Sequence, residues 1–210
     1  MSENIKFSCS DCGVVNCRTG EEDKYPKLCP TTNTDKDSLD ESLKTYLEDE
    51  EDGKIARVSA SIESDFYKKI CRVEETIEFI KRMDYKKVGI ATCAGLLNET
   101  KAFTKILKDK GIDYYTAICK VGAFDKSEIG IPDEMKHNKG SGHESACNPI
   151  LQAKILESQD TDFNIVIGLC VGHDTLFIKY SKAPTTVMIV KDRVLGHNPV
   201  AALDVESSYS

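Results

Sequence analysis

The 210-residue chain has no tryptophan, only six prolines and four histidines, and no apolar run approaching the roughly 20 residues needed to cross a bilayer. The first residues, Met1-Ser-Glu-Asn-Ile-Lys6, lack the apolar centre of a secretory signal, so the expectation is a cytoplasmic protein with no membrane contact. Lys and Arg are not gathered into any cluster, and the formal charge is -7. A nucleic-acid footprint is therefore not expected. No Gly-x-Gly-x-x-Gly fingerprint follows an apolar run and no Walker-type phosphate loop is present, which removes the usual signals for a tightly held dinucleotide or ATP.

What the chain does contain is cysteine, nine in all. An odd count in a reducing compartment argues against a disulfide framework and for metal binding or thiol chemistry. Four of the nine, Cys9, Cys12, Cys17 and Cys29, fall in C-x2-C-x4-C-x11-C spacing within a polar stretch that has too little apolar material for a core of its own. Two thiols on one tight turn and two returning to it suit a metal centre that orders the segment. The staggered spacing favours a [4Fe-4S] cluster, with a zinc site (Zn2+) as the alternative.

The rest of the chain reads as alternating elements. Ser38 with Glu41 forms a capping-box pattern ahead of Leu39, Leu43, Tyr46 and Leu47, predicting a short helix that ends near Gly53. The steps of three and four from Ile55 to Ile80 predict one long amphipathic helix or two in series, with Cys71 in its core-facing stripe. Strands are predicted at Val88–Cys93, Ile112–Cys119, Phe163–Cys170 and Thr186–Val190. Helices are predicted at Leu96–Lys110, at Pro149–Ser158 and around Leu176–Tyr180, and no clear element from Gly196 to Ser210. The expected fold class is α/β, a mostly parallel sheet of about four strands with helices on both faces. A Cys-rich segment over residues 1–34 precedes an α/β domain with N-terminal helices over 35–210.

Cys93, Cys119 and Cys170 all stand where a predicted strand gives way to a glycine turn, and parallel strands end on one side of their sheet. Cys147 precedes Asn148-Pro149, a good helix start whose positive end favours thiolate. Packing filler is the plain reading of any one of these cysteines. Taken together they form a candidate catalytic group, with His173 three residues after Cys170, and a candidate seat for a second iron-sulfur cluster. His143 and His197, each after a glycine, and Lys191 and Arg193, behind the fourth strand, are candidates for binding a cofactor or an anionic substrate. The stretch from Ala123 to Ala146, with Gly130, Pro132, Gly140 and Gly142, is expected to be a lid.

The run from Cys9 to Arg18 resembles the cluster-binding segments of corrinoid iron-sulfur proteins and carbon monoxide dehydrogenases. More widely, the Cys-x-x-Cys-Gly start, Tyr25-Pro-Lys-Leu-Cys-Pro30, Gly168-Leu-Cys-Val-Gly-His-Asp174 and Lys191-Asp-Arg-Val-Leu-Gly-His-Asn-Pro199 are similar to domain-of-unknown-function family 1847. That resemblance implies a metal-binding prokaryotic protein and leaves the reaction open. The expected function is an iron-sulfur protein with a redox or sulfur-handling role, whose partner is a small-molecule substrate or a redox protein. The rival is a non-catalytic binding module with structural zinc.

Overall fold

The computed structural model describes residues 8–139 and 142–207, so the Met1–Lys6 start, Gly140 of the expected lid and the last three residues of the tail are among those that lie outside the described residues, with Phe7 and Ser141. The chain divides into two compact units, Met1–Ser61 and Ile62–Ser210.

The first unit opens with three single turns of 3-10 helix, Cys9–Asp11, Asn16–Arg18 and Glu22–Lys24. A one-turn helix α1 (Pro30–Asn33), α2 (Lys36–Glu48) and the start of α3 (Glu50–Phe66) follow. Helix α2 begins one turn earlier than its Ser38 pattern suggested. Asp35 is the cap, accepting from the backbone N–H of Ser38 at 2.8 Å. Gly53 does not end a helix but lies within α3; the break falls at Asp49, which caps α3 through the N–H of Asp52 at 2.8 Å. The glycine answers to close approach instead. A Cβ there would meet the Tyr46 carbonyl at 2.4 Å and the Arg57 guanidinium at 2.8 Å.

The second unit holds the sheet. After α3, Lys68 turns left-handed (φ 57°) and Cys71 caps α4 (Arg72–Met83), which settles the long amphipathic pattern as two helices. Cys71 is exposed rather than in the core. Its backbone N–H donates to Glu74 at 2.9 Å, completing a capping box in which sulfur takes the place of a serine hydroxyl.

Four strands follow: β1 (Lys87–Thr92), β2 (Asp113–Ile118), β3 (Phe163–Ile167) and β4 (Thr185–Ile189). They pair in the order β2-β1-β3-β4, all parallel. Helix α5 (Leu97–Asp109) joins β1 to β2, α6 (Pro149–Ser158) joins β2 to β3, and α7 (His173–Tyr180) joins β3 to β4. Right-handed crossovers put α5 on one face and α6 with α7 on the other, and α6 packs on α7 and on β1 and β2. The strands read as nearly continuous apolar runs because both faces are covered. Val88, Ile90, Ile165, Ile167, Leu107, Leu156 and Phe177 have no measurable exposure, each contributing about 1.5–3 kcal/mol by burial. The tail, expected to be irregular, forms a short helix α8 (Val200–Ser207). No described helix is long and apolar enough to cross a membrane.

Because β2 and β3 lie on opposite sides of β1, the winding direction reverses between β1 and β3. The carboxyl ends of those strands therefore frame a crevice, the place where ligands bind in open α/β sheets.

Candidate functional site

The hydrogen-bond ladder runs one residue past the strands and fixes the cysteine backbones at that crevice. The N–H of Cys93 donates to the Ile167 carbonyl at 3.2 Å, and that of Cys119 to the Thr92 carbonyl at 2.8 Å. The N–H of Asn148 donates to the Cys119 carbonyl at 2.8 Å, which brings Cys147 against the end of β2 although 27 residues separate the two in sequence. Asn148 also caps α6 by accepting from the N–H of Leu151, with Pro149 in the first turn as the sequence indicated.

Three sulfurs consequently form a row. Cys119, the most buried, stands in the middle and hydrogen-bonds to Cys147 on one side and Cys93 on the other. Cys147 and Cys170 are half-buried and open to solvent. The two outer thiols of the row, and Cys170 beyond it, each have a basic neighbour. Lys191 Nζ is 3.0 Å from Cys93 Sγ and Arg193 Nη2 is 3.0 Å from Cys170 Sγ, while Lys120, which donates to the Ser145 carbonyl at 2.6 Å, and His173 lie near Cys147.

These contacts divide the thiols electrically. The hydrogen bond from Cys119, against the opposing effect of burial and with the help of Lys120, pulls the Cys147 thiol down to about 5. The same bond and its own burial push Cys119 far above the usual thiol range. For Cys93, burial acts upward, but the hydrogen bonds from Lys191 and from the N–H of Gly95 outweigh it and the thiol lies below its usual value. Contact with Cys170 raises Arg193 above the ordinary guanidinium range. The site thus presents a thiolate at Cys147 with a protonated neighbour, Cys119, directly behind it.

His143 and His197 play other parts. His143 bonds to Ser145 Oγ at 2.9 Å and faces Asp125 at 3.5 Å, within the loop from Ala123 to Ala146. That loop is closed at its stem. Asp125 bridges Ser145, Lys126 pairs with Glu144, and the buried Lys136 pairs with Asp125 at 2.6 Å and Asp133 at 2.8 Å. His197 accepts from the N–H of Asp192 through Nδ1 at 3.1 Å, closing the turn that carries Lys191 and Arg193. Among the described residues neither histidine hydrogen-bonds to a thiol; His143 serves the loop and His197 the turn behind the fourth strand.

The chain belongs to the DUF1847 family. The model of that family, described as a protein of unknown function, matches residues 29–188. The chain is also 49% identical over 197 residues to an uncharacterized protein of Methanocaldococcus jannaschii, covering 94% of this chain and 93% of that one. The family match takes in Cys29 and all four strand-end cysteines, and stops short of Cys9, Cys12 and Cys17 at one end and of Lys191 and Arg193 at the other.

In the N-terminal unit, Cys9 and Cys12 share one 3-10 turn, the N–H of Cys12 donating to the Cys9 carbonyl at 3.3 Å. Cys17 and Cys29 both lie beside Tyr25, whose hydroxyl burial, Glu22 and the two sulfurs hold above its usual value. Cys29 is buried, and hydrogen bonds from the Thr31 hydroxyl and the N–H groups of Thr31 and Thr32 favour its thiolate. Soft sulfur donors suit iron or zinc. Among the described residues, however, no three His, Cys, Asp or Glu side chains gather about one metal position, here or at the sheet edge.

Three residues of the sheet-edge site carry no motif. Lys120 is marked only by following Cys119. Gly95 leaves room for Lys191, since a Cβ there would lie 2.9 Å from Nζ. Gln152, fully buried, donates from Nε2 to the carbonyls of Thr92 at 3.1 Å and Ala117 at 2.7 Å. It locks the ends of β1 and β2 together behind the thiols while its Oε1 has no partner.

Proposed function

We propose that the α/β unit is a thiol-dependent redox or sulfur-handling module in which Cys147 is the nucleophile and Cys119 the thiol that answers it. The observation that supports this is the Cys147–Cys119 hydrogen bond beside Lys120, which gives an accessible thiolate and a protonated thiol in contact. A thiolate of this kind attacks a sulfur electrophile, and the adjacent thiol displaces the product by forming a disulfide. Cys93 with Lys191 and Cys170 with Arg193 flank the pair and set the charge around it. The test is competitive alkylation of the reduced chain with iodoacetamide at pH 6, read by peptide mass. Cys147 should be labelled first, and labelling led by another cysteine would remove the reading.

The N-terminal cysteines support a second part of the proposal, a resident metal centre on Cys9, Cys12, Cys17 and Cys29. Among the described residues of the first unit, Cys29 is the one buried side chain, so the turns from Cys9 to Pro30 have no core to hold them. A [4Fe-4S] cluster would supply electron transfer or order, and zinc would supply order alone. Iron, acid-labile sulfide and zinc per chain after oxygen-free purification decide between them. Iron and sulfide beyond one cluster would assign a second to the sheet-edge thiols, and zinc alone would favour a binding module over a redox protein.

A further inference from the structure

The sheet-edge site is unusual in its charge. Lys120, Lys191 and Arg193 converge on it with His173, from the ends of β2 and β4 and the start of α7. Among the described residues none of the three long cations is ion-paired with a carboxylate. The two acidic residues next to them in sequence are engaged by backbone N–H groups. Asp192 accepts from the N–H groups of Val194 at 2.9 Å and Leu195 at 2.8 Å, and Asp174 accepts from the N–H of Thr175 at 2.7 Å. The acidic groups that face them are the thiols of Cys93, Cys147 and Cys170. The crevice is therefore net positive around a nucleophilic sulfur, a setting that draws in small anions and stabilises an anionic leaving group.

A neutral disulfide gains from those cations only on departure, through its leaving thiolate. An anion that carries a transferable sulfur gains twice, on binding and on departure. We propose that the site takes a sulfane sulfur atom from a small anionic donor, of the thiosulfate or organic persulfide kind, onto Cys147, with Lys120, Lys191 and Arg193 holding the departing anion. The inference rests on the reading of Cys147 as the nucleophile.

The step balances without a further oxidant. With thiosulfate, the Cys147 thiolate attacks the outer sulfur, a Cys147 S–S bond forms, the sulfur–sulfur bond of the donor breaks, and sulfite leaves with the electron pair. Cys147 is left as a persulfide anion. Cys119 then has a choice of fates to control. If its sulfur attacks Cys147, the Cys119–Cys147 disulfide forms and hydrosulfide leaves with the proton that Cys119 carried; the transferred sulfur is reduced and the two thiols are oxidised. The alternative is transfer of the outer sulfur to an external acceptor thiol, which leaves both Cys147 and Cys119 reduced.

The experiment uses the full-length chain, reduced and freed of reductant without oxygen, with sodium thiosulfate and glutathione persulfide as separate donors and a neutral organic trisulfide as control. The expected result is the mass of one sulfur atom on the Cys147 peptide, with an equivalent of sulfite released from thiosulfate. Transfer from the persulfide alone would support the class and name the organic source. In a Lys191→Met, Arg193→Met variant shown to be folded by circular dichroism, transfer from thiosulfate should fall about tenfold more than alkylation by neutral iodoacetamide. Equal transfer from the neutral trisulfide would overturn the anionic class. No sulfur from either anion, with Cys147 still the first residue alkylated, would overturn the inference and leave the nucleophile standing. Loss of preferential alkylation would remove the nucleophile itself.

Discussion

Lys191 Nζ, two residues beyond β4, donates to the Cys93 sulfur at the end of β1 across 3.0 Å, reaching over the intervening strand β3. In Lys191→Met the burial of Cys93 acts with less opposition, so its thiol should rise from below its usual value toward or past it. Alkylation of Cys93 at neutral pH should slow. An unchanged rate would mean that the ammonium does not set that thiol.

Gly95 offers the same test without touching a charge. In Gly95→Ala the new methyl displaces the flexible end of Lys191, so folding stability should change by only about 0.5 kcal/mol while Cys93 reactivity falls as in Lys191→Met. Urea midpoints and alkylation rates measured on the same sample separate the two effects.

For Cys147 the pH profile is the signature. Its thiolate should half-form near pH 5, so labelling rises through about pH 5 and is level by neutrality, where an ordinary thiol is still climbing toward 9. Stability carries the same sign. A depressed thiol stabilises the fold fully only above its unfolded value, so the margin of the wild type over Cys147→Ser should narrow as pH falls from 9 toward 5.

Gly89 stands in the middle of β1 with Asn164 folded over it. A Cβ would meet Asn164 Oδ1 at 2.0 Å and Leu156 Cδ1 at 2.9 Å, in a network where that oxygen accepts from Thr161 Oγ1 at 3.0 Å and Asn164 Nδ2 donates to Ser181 Oγ at 2.8 Å. Gly89→Ala should cost about 2–3 kcal/mol by overpacking, read as a lower urea midpoint.

Lys136 ties Asp125 and Asp133 together inside the loop after β2. Lys136→Met should speed limited proteolysis between Ala123 and Ala146 and leave the cleavage pattern elsewhere unchanged. The two carboxylate bonds raise Lys136 while Lys136 and Ser127 lower Asp125, so in the wild type the loop should resist protease evenly from mildly acidic to mildly alkaline pH.

The strands were legible because a parallel sheet covered on both faces demands unbroken apolar runs, and Val88–Thr92 and Phe163–Ile167 supply them. The placing of Cys93, Cys119 and Cys170 just past the ends of β1, β2 and β3, and of Cys147 just before α6, was legible from the alternation of strands and helices. What could not be read was decided by contacts distant in sequence. Gly53 has the look of a helix stop, yet its meaning lies in Tyr46 and Arg57 on either side of a bend. Cys71 has the spacing of a core residue, yet Glu74 makes it a cap. Lys120 and Gln152 carry no periodic signal at all; only the folded arrangement of β1, β2 and α6 shows what they hold.

The loop from Ala123 to Ala146 leaves and re-enters the sheet edge at almost one point, with the N–H of Ala146 donating to the Phe124 carbonyl at 2.7 Å and the Asp125–Ser145 bridge beside it. To the rest of the unit the loop is a single attachment rather than two. Lengthening a loop already closed at its base costs little further chain entropy. Its outer turns are thus a natural port, where a reporter, an affinity handle or a whole guest domain can be spliced in while the thiols beneath keep their spacing.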